Sequence, residues 1–181
     1  MSYSTIKFYN PRQGAFQLDI ALTKVRGHII MANSMGGNTF RPKAGDKIYD
    51  WENKMVFSLM PEEAIQIKRW LKLSYNNSNA KPLTLSHSPS GNMKEDYTTL
   101  FLVTATRDGE MTVTITMTNS MKQKCVFTIS KERITLFNDW LEFVSKLYLV
   151  NQAFDLLLYK SQMMRQGGGN GQNRNSRYGS A

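Results

Sequence analysis

The chain has 181 residues, of which 41% are hydrophobic and 20% charged. That is one ordinary domain with enough apolar material for a core, and it excludes a chain that is disordered throughout. Lysine and arginine outnumber the acids 23 to 14, a formal net charge of +9, and a basic surface favours polyanions such as nucleic acid or an anionic membrane. Four of the positives (Lys160, Arg165, Arg174 and Arg177) fall from residue 160 onward, where there is no acid; the body, 1–159, keeps 19 basic against 14 acidic residues.

Cys125 is the only cysteine, so no internal disulfide forms and a reducing compartment is expected. The opening residues, MSYSTIKFYNPRQG, hold neither an apolar signal core nor an Arg- and Ser-rich amphipathic transit segment. The most apolar run, FVSKLYLVNQAFDLLLY, is broken by Lys146, Asn151, Gln152 and Asp155, so no stretch of about 18 apolar residues is available for a membrane span. The expectation is a soluble intracellular protein of the cytoplasm or nucleoid, or of the host cytoplasm if the source is viral.

Strand signals come first. FQLDIALTK (16–24) alternates, with Phe16, Leu18, Ile20 and Leu22 on one face. Gly27 marks a turn, HIIMANSM (28–35) reads as a second strand, and Gly36-Gly37-Asn38 ends it. KIYDW (47–51) reads as a short run and NKMVFSLM (53–60) as a further strand. The period then changes. Pro61, Glu62 and Glu63 suit a helix start, and Ala64, Ile67, Leu71 and Ser74 follow at spacings of three and four. A helix is expected over 61–75 and a loop over 76–82. Strands return at 82–88, 97–107, 110–120 and 122–130, with a loop at 89–96 and Asp108-Gly109 as a hairpin turn. MTVTITMT places Met111, Val113, Ile115 and Met117 on one face and threonines on the other, which suits a sheet wetted on one side. From Ser130 an apolar stripe (Ile134, Phe137, Leu141, Val144, Tyr148) predicts a second helix to about residue 160. RQGGGNGQNRNSRYGSA then lacks any core-building aliphatic residue, so 162–181 reads as a flexible Gly/Asn/Arg-rich tail.

The order strands, helix, strands, helix points to a duplication. A shift of 70 residues lays KMVFSLMPEEAIQIKRWL (54–71) on KCVFTISKERITLFNDWL (124–141) with six identities in eighteen positions, where average composition gives roughly one. The same shift lays the 28–35 strand on the strand at 97–107. Phe57, Phe127, Trp70 and Trp140 read as core anchors of each helix on its sheet. The fold class is α+β: a β-β-β-β-α unit given twice, in halves of about 15–75 and 82–160 within a domain of 1–161.

The segment KIYDWENKMVFSLMPEEAIQI (47–67) resembles the Whirly family of plant organellar single-stranded-DNA-binding proteins. The carrying residues are Tyr49, Asp50, Trp51, Lys54, Phe57, Ser58, Leu59 and Glu62 or Glu63. The resemblance implies two antiparallel four-stranded sheets, roughly perpendicular, with two helices. It implies a homotetramer assembled through the helices, and strand binding in grooves between sheets with little sequence preference. The trypanosome mitochondrial RNA-binding proteins share that fold, so RNA is the alternative polymer. Three departures stand out: no transit peptide, HIIMANSMGG in place of the family's Lys-Gly-Lys-Ala-Ala-Leu strand, and the Gly/Asn/Arg tail. The first and third suit a bacterial or viral relative.

A strand-binding sheet needs cations for phosphates and flat rings for bases. The basic candidates are Lys24, Arg26, Arg41, Lys43, Lys47, Lys54, Arg107, Lys122 and Lys124; the aromatic ones are Tyr49, Trp51, Tyr97 and Phe101. Alternation predicts Lys47, Tyr49 and Trp51 on one face. No catalytic set is read: His28 and His87 are the only histidines, Cys125 reads as a small buried hydrophobe, and no phosphate-binding loop or zinc cluster is present. No cofactor, metal, membrane or small-molecule substrate is expected. The function implied is sequence-tolerant single-stranded DNA binding in replication, recombination or repair. The rivals are an RNA-binding or annealing protein and an oligomeric protein-binding scaffold, the latter motivated by the apolar segment 147–159.

Overall fold

Alternating apolar residues set the strands, and their cross-strand partners set the sheets. The computed structural model describes residues 3–21, 25–36, 41, 43–76, 80–88, 91, 96–107 and 110–167. The first sheet runs in the order β1 (Tyr3–Asn10), β2 (Gly14–Ala21), β3 (Arg26–Asn33) and β4 (Met55–Leu59), each antiparallel to its neighbour. Helix α1 (Pro61–Asn76) follows. The second sheet is β5 (Leu83–His87), β6 (Thr98–Arg107), β7 (Glu110–Asn119) and β8 (Lys124–Ile129), again antiparallel, followed by α2 (Lys131–Gly167). This is the α+β duplication expected from the sequence.

Three details differ. The first strand of the first sheet is β1, in a segment expected to precede the first repeat half, and KIYDW does not form a strand in its place. Among the described residues, 47–51 make one isolated bridge, Ser34 to Tyr49. The repeat also shifts partway. Phe57 and Phe127 are 70 apart, but their partners Ile29 and Ile115 are 86 apart. The counterpart of β3 is therefore β7, not the strand at 97–107. The change in offset is absorbed by the β3–β4 connection, residues 34–54, against only 120–123 between β7 and β8. Finally, α2 continues past residue 160 to Gly167, and residues 168–181 of the expected tail lie outside the described residues.

One apolar core holds the sheets together. Phe8, Phe16, Ile29 and Phe57 from the first sheet are buried with Leu100, Ile115 and Phe127 from the second. Phe16 is the junction: its ring stacks on Phe127 at 5.5 Å and on Phe8 at 5.9 Å, and meets Phe137 of α2 edge-on at 6.0 Å. Burial of each such ring contributes about 1.5–3 kcal/mol. Two backbone groups on the open edge of β8 bond to side chains of the first half. Asn33 Nδ2 donates to the Lys124 carbonyl at 2.9 Å, and the Thr128 amide donates to Gln13 Oε1 at 3.0 Å. Those bonds occupy two groups of an edge that would otherwise offer itself to another chain.

The helices seal the core as their periodicity predicts. Ala64, Ile67, Trp70 and Leu71 of α1 are buried, and so are Phe137, Trp140, Leu141, Val144 and Leu147 of α2. Trp70 donates its indole N–H to the Lys81 carbonyl at 2.8 Å. Trp140 and Val144 lie so near β3 that a Cβ on Gly27 would come within 2.8 and 2.7 Å of them; only glycine fits there. Lys68 of α1 forms an ion pair with Glu142 of α2. Two N-terminal caps differ: Glu63 reaches back to the Met60 amide at 2.9 Å, whereas Ser130 donates its hydroxyl to Glu132 at 2.9 Å.

Both sheets, α1 and α2 as far as Leu147 belong to one compact unit; a second begins at Tyr148. In the second unit the helix carries Leu149, Leu156, Leu157, Leu158 and Tyr159, all exposed. No helix among the described residues is long and apolar enough to cross a membrane.

Candidate nucleic-acid interface

The long connection after β3 is anchored as a second layer beside the first sheet. The Met35 amide donates to the Ile48 carbonyl at 2.9 Å, and the Asp50 amide to the Asn33 carbonyl at 3.0 Å. The Trp51 amide then turns back to the Tyr49 carbonyl at 3.1 Å, a three-residue turn centred on Asp50 that breaks the extended run. The Asp50 carboxylate locks it by accepting the Asn53 amide at 3.2 Å and its side-chain nitrogen at 2.9 Å.

These bonds assemble three rings. Tyr49 stacks on Tyr9 of β1 with centroids 5.3 Å apart, and Trp51 meets Tyr49 edge-on at 6.4 Å. The β-register places Tyr9 in a row with Ala15 and Ala32, both small and buried. Tyr49 is half-buried, while Tyr9 and Trp51 remain 45% and 36% exposed. Burial, and then the neighbouring Tyr9, hold the Tyr49 phenol above its ordinary pKa. A cavity of about 470 Å³ opens beside the rings, lined by Met35, Ile48, Tyr49 and Trp51 with Asp46, Lys47, Asp50 and Glu52. Flat, partly open faces of this kind can stack bases of any identity.

Charge around the step is balanced. Lys47 pairs with Glu52 at 3.1 Å, both largely exposed, so the pair contributes little. Residues 43–54 hold three lysines and three acids. Lys43 and Lys54 are exposed, and the Lys43 amide closes a turn onto Asp46 Oδ2 at 2.8 Å. Arg41 is exposed. Arg26 is exposed at the opposite end of β3 from the step. Lys24 lies outside the described residues.

The other candidates belong to the second sheet. Phe101, 37% exposed, sits in an outer row Thr84–Phe101–Thr116–Val126. Tyr97 is half-buried, and its carbonyl accepts the Ser120 amide at 3.0 Å. Neither ring contacts the aromatic step among the described residues. Lys122 is exposed in a left-handed turn (φ 59°). Lys124 is exposed at the start of β8, its backbone tied to Asn33 where the long connection begins. The Arg107 backbone ends β6 opposite Glu110, and its side chain lies outside the described residues. The described candidates thus lie on both sheets, with Arg26 away from the step and Lys124 tied to the root of the connection that carries it.

Tyr9 was missed by the sequence reading. Its signal is the short alternation Ile6, Phe8 inward against Lys7, Tyr9 outward, ahead of Asn10-Pro11. Cys125 is buried as expected, its thiol pushed up to about 11 by burial and then by the Asp50 carboxylate. Glu63 and His87 lie 2.6 Å apart, an acid–histidine contact. Among the described residues no group of three or more His, Cys, Asp or Glu could hold a metal ion.

Residues 9–138 match the family model described as Whirly transcription factor. The fold is similar to that of WHY1 from Arabidopsis thaliana, at 14% identity and a TM-score of 0.50, covering 99% of this chain and 97% of that one. It is also similar to the plant transcriptional regulator PBF-2, at 16% identity and a TM-score of 0.51, covering 87% of each chain. No curated protein matches the sequence. With the family model matching well over half of the chain, on the same duplicated sheets, the protein belongs to the Whirly family of nucleic-acid-binding proteins.

Proposed function

We propose that the protein is a sequence-tolerant single-stranded DNA-binding protein, not an enzyme, acting in replication, recombination or repair. The observation that carries this reading is the Tyr9–Tyr49–Trp51 step, three packed rings with two exposed faces on a sheet built from a nucleic-acid-binding family's fold. Bases stack on the step, and cations of the two sheets, Lys47, Lys54, Lys122 and Lys124 among them, neutralise phosphates. Regulation of transcription, favoured by the family's description, is a second use of the same surface. Domain 1–161 carries the binding, and 162–181 acts as a basic tail.

The working form is a homotetramer joined through the helices. Its support is the apolar surface of Leu149, Leu156, Leu157 and Leu158 on α2, more than a solvated helix tolerates. The reading is tested by titrating a labelled oligothymidine against increasing salt, with duplex and a matched RNA strand as competitors. Tight, salt-sensitive binding in which RNA and duplex compete poorly is expected. Equal affinity for duplex overturns the reading, and preference for RNA transfers it to the RNA-binding alternative.

A further inference from the structure

The outer face of the first sheet has two ends, and only one carries the aromatic step. At the other end, where β4 meets β5, lies a second cavity of about 530 Å³. Arg26 lines it from β3 and Ser58 from β4, with Ser86, His87 and Ser88 at the end of β5 and Thr98 from β6. Hydroxyls and the Arg26 and His87 nitrogens share this wall with Val56, Phe57 and Met60. Arg26 is exposed and makes no ion pair among the described residues. His87 is held in place: its ring stacks on Phe57 at 4.3 Å, and Nε2 lies 2.6 Å from Glu63 Oε1. Nδ1 takes no part in that contact. Glu63 is the acid beside this wall, and its second oxygen is committed to the Met60 amide at 2.9 Å.

A guanidinium fork beside several hydroxyls is a donor set suited to a phosphate oxygen. The connection to the aromatic step is geometric. Arg26 and Asn33 bound β3, and seven residue steps at about 3.3 Å place them about 23 Å apart. Between them the outer face presents the row Lys7–Gln17–Ile30–Val56, and Val56 also lines the cavity. Asp19, the carboxylate on that face, is half-buried and accepts the Gln17 amide at 2.8 Å.

We infer that this cavity holds a backbone phosphate of the same strand whose bases lie on the aromatic step, so that the strand runs lengthwise along β3. The inference rests on the strand-binding reading and adds a path and a second contact point to it. A strand too short to cover the length of β3 reaches the step alone; one of about four nucleotides or more, the low end of single-strand platforms, reaches both.

The test compares oligothymidines of about three and about ten nucleotides on wild-type protein, Arg26→Gln and Arg26→Lys, by fluorescence anisotropy across a salt series. For Arg26→Gln the longer strand is expected to bind about tenfold more weakly, with the salt slope reduced by about one, while the shorter strand is unaffected. Arg26→Lys restores the slope. Equal losses at both lengths, or no loss at either, overturn the inference and leave strand binding standing. If wild-type protein binds neither length, the underlying reading falls with it.

Discussion

The two halves of the molecule share a scaffold and differ in one connection. Each half sends four antiparallel strands into a helix, and each anchors that helix with a buried Phe and a buried Trp: Phe57 and Trp70 in one, Phe127 and Trp140 in the other. Between the third and fourth strands the second half needs only residues 120–123. The first half spends 34–54 there and uses them to bring Tyr49 and Trp51 against Tyr9. Their outer faces differ to match. The first carries the ring step; the second carries Thr99, Thr114, Thr116 and Thr118 around Phe101. Repeated core positions therefore specify packing, and chemistry enters where the repeat is interrupted.

The strongest way to break the comparison is at the shared anchors. Trp70→Ala and Trp140→Ala should each cost about 3–5 kcal/mol. Because one core joins the halves, urea unfolding followed by circular dichroism should show a single transition shifted in both variants; two separated transitions would make the halves independent. Next is Gly27→Ala, at a position with no glycine counterpart, since Val113 faces the fourth strand in the second half. Crowding against Trp140 and Val144 should cost about 1–3 kcal/mol, read as a lower urea midpoint.

The rings sharpen the comparison in binding rather than stability. Trp51→Ala should weaken oligothymidine binding by about 1–3 kcal/mol, with Phe101→Ala weaker in effect and the urea midpoint unmoved in both. Equal losses would show that the halves bind alike. The smallest effect lies at the caps. The Glu132 carboxyl is held below its ordinary value by its own backbone amide and then by Ser130. A lowered folded pKa stabilises above the ordinary carboxylate range, and that contribution is lost as pH falls through the folded value. Glu132→Gln should flatten the acid side of the melting-temperature profile slightly and leave the neutral side unchanged.

Much of the fold is legible in the sequence because period-two and helical patterns are strong where one face is buried. MTVTITMT specifies β7 almost residue by residue, and the stripe from Ile134 to Val144 specifies the buried part of α2. What escaped reading depends on contacts distant in sequence. Among its described side chains β1 offers Ile6 and Phe8 to the core, too little alternation to distinguish it from a loose leader. KIYDW alternates as a strand should, yet the turn at Asp50 and the lone bridge to Ser34 make it a folded arm. The grouping of Tyr49 with Trp51 survives that change, while Lys47 is turned to Glu52. Tyr9 joins the site only through the β1–β2 pairing, which no local pattern near residue 49 announces.

Cys125 gives the sheet junction a further property. Its sulfur donates toward the Met31 carbonyl at 3.9 Å, across the contact of β8 with β3, and its pKa of about 11 leaves almost no thiolate at neutral pH. A thiol reagent therefore meets it chiefly in molecules whose junction has parted. The rate of alkylation is a built-in clock for that breathing, kept by a native atom with no label added.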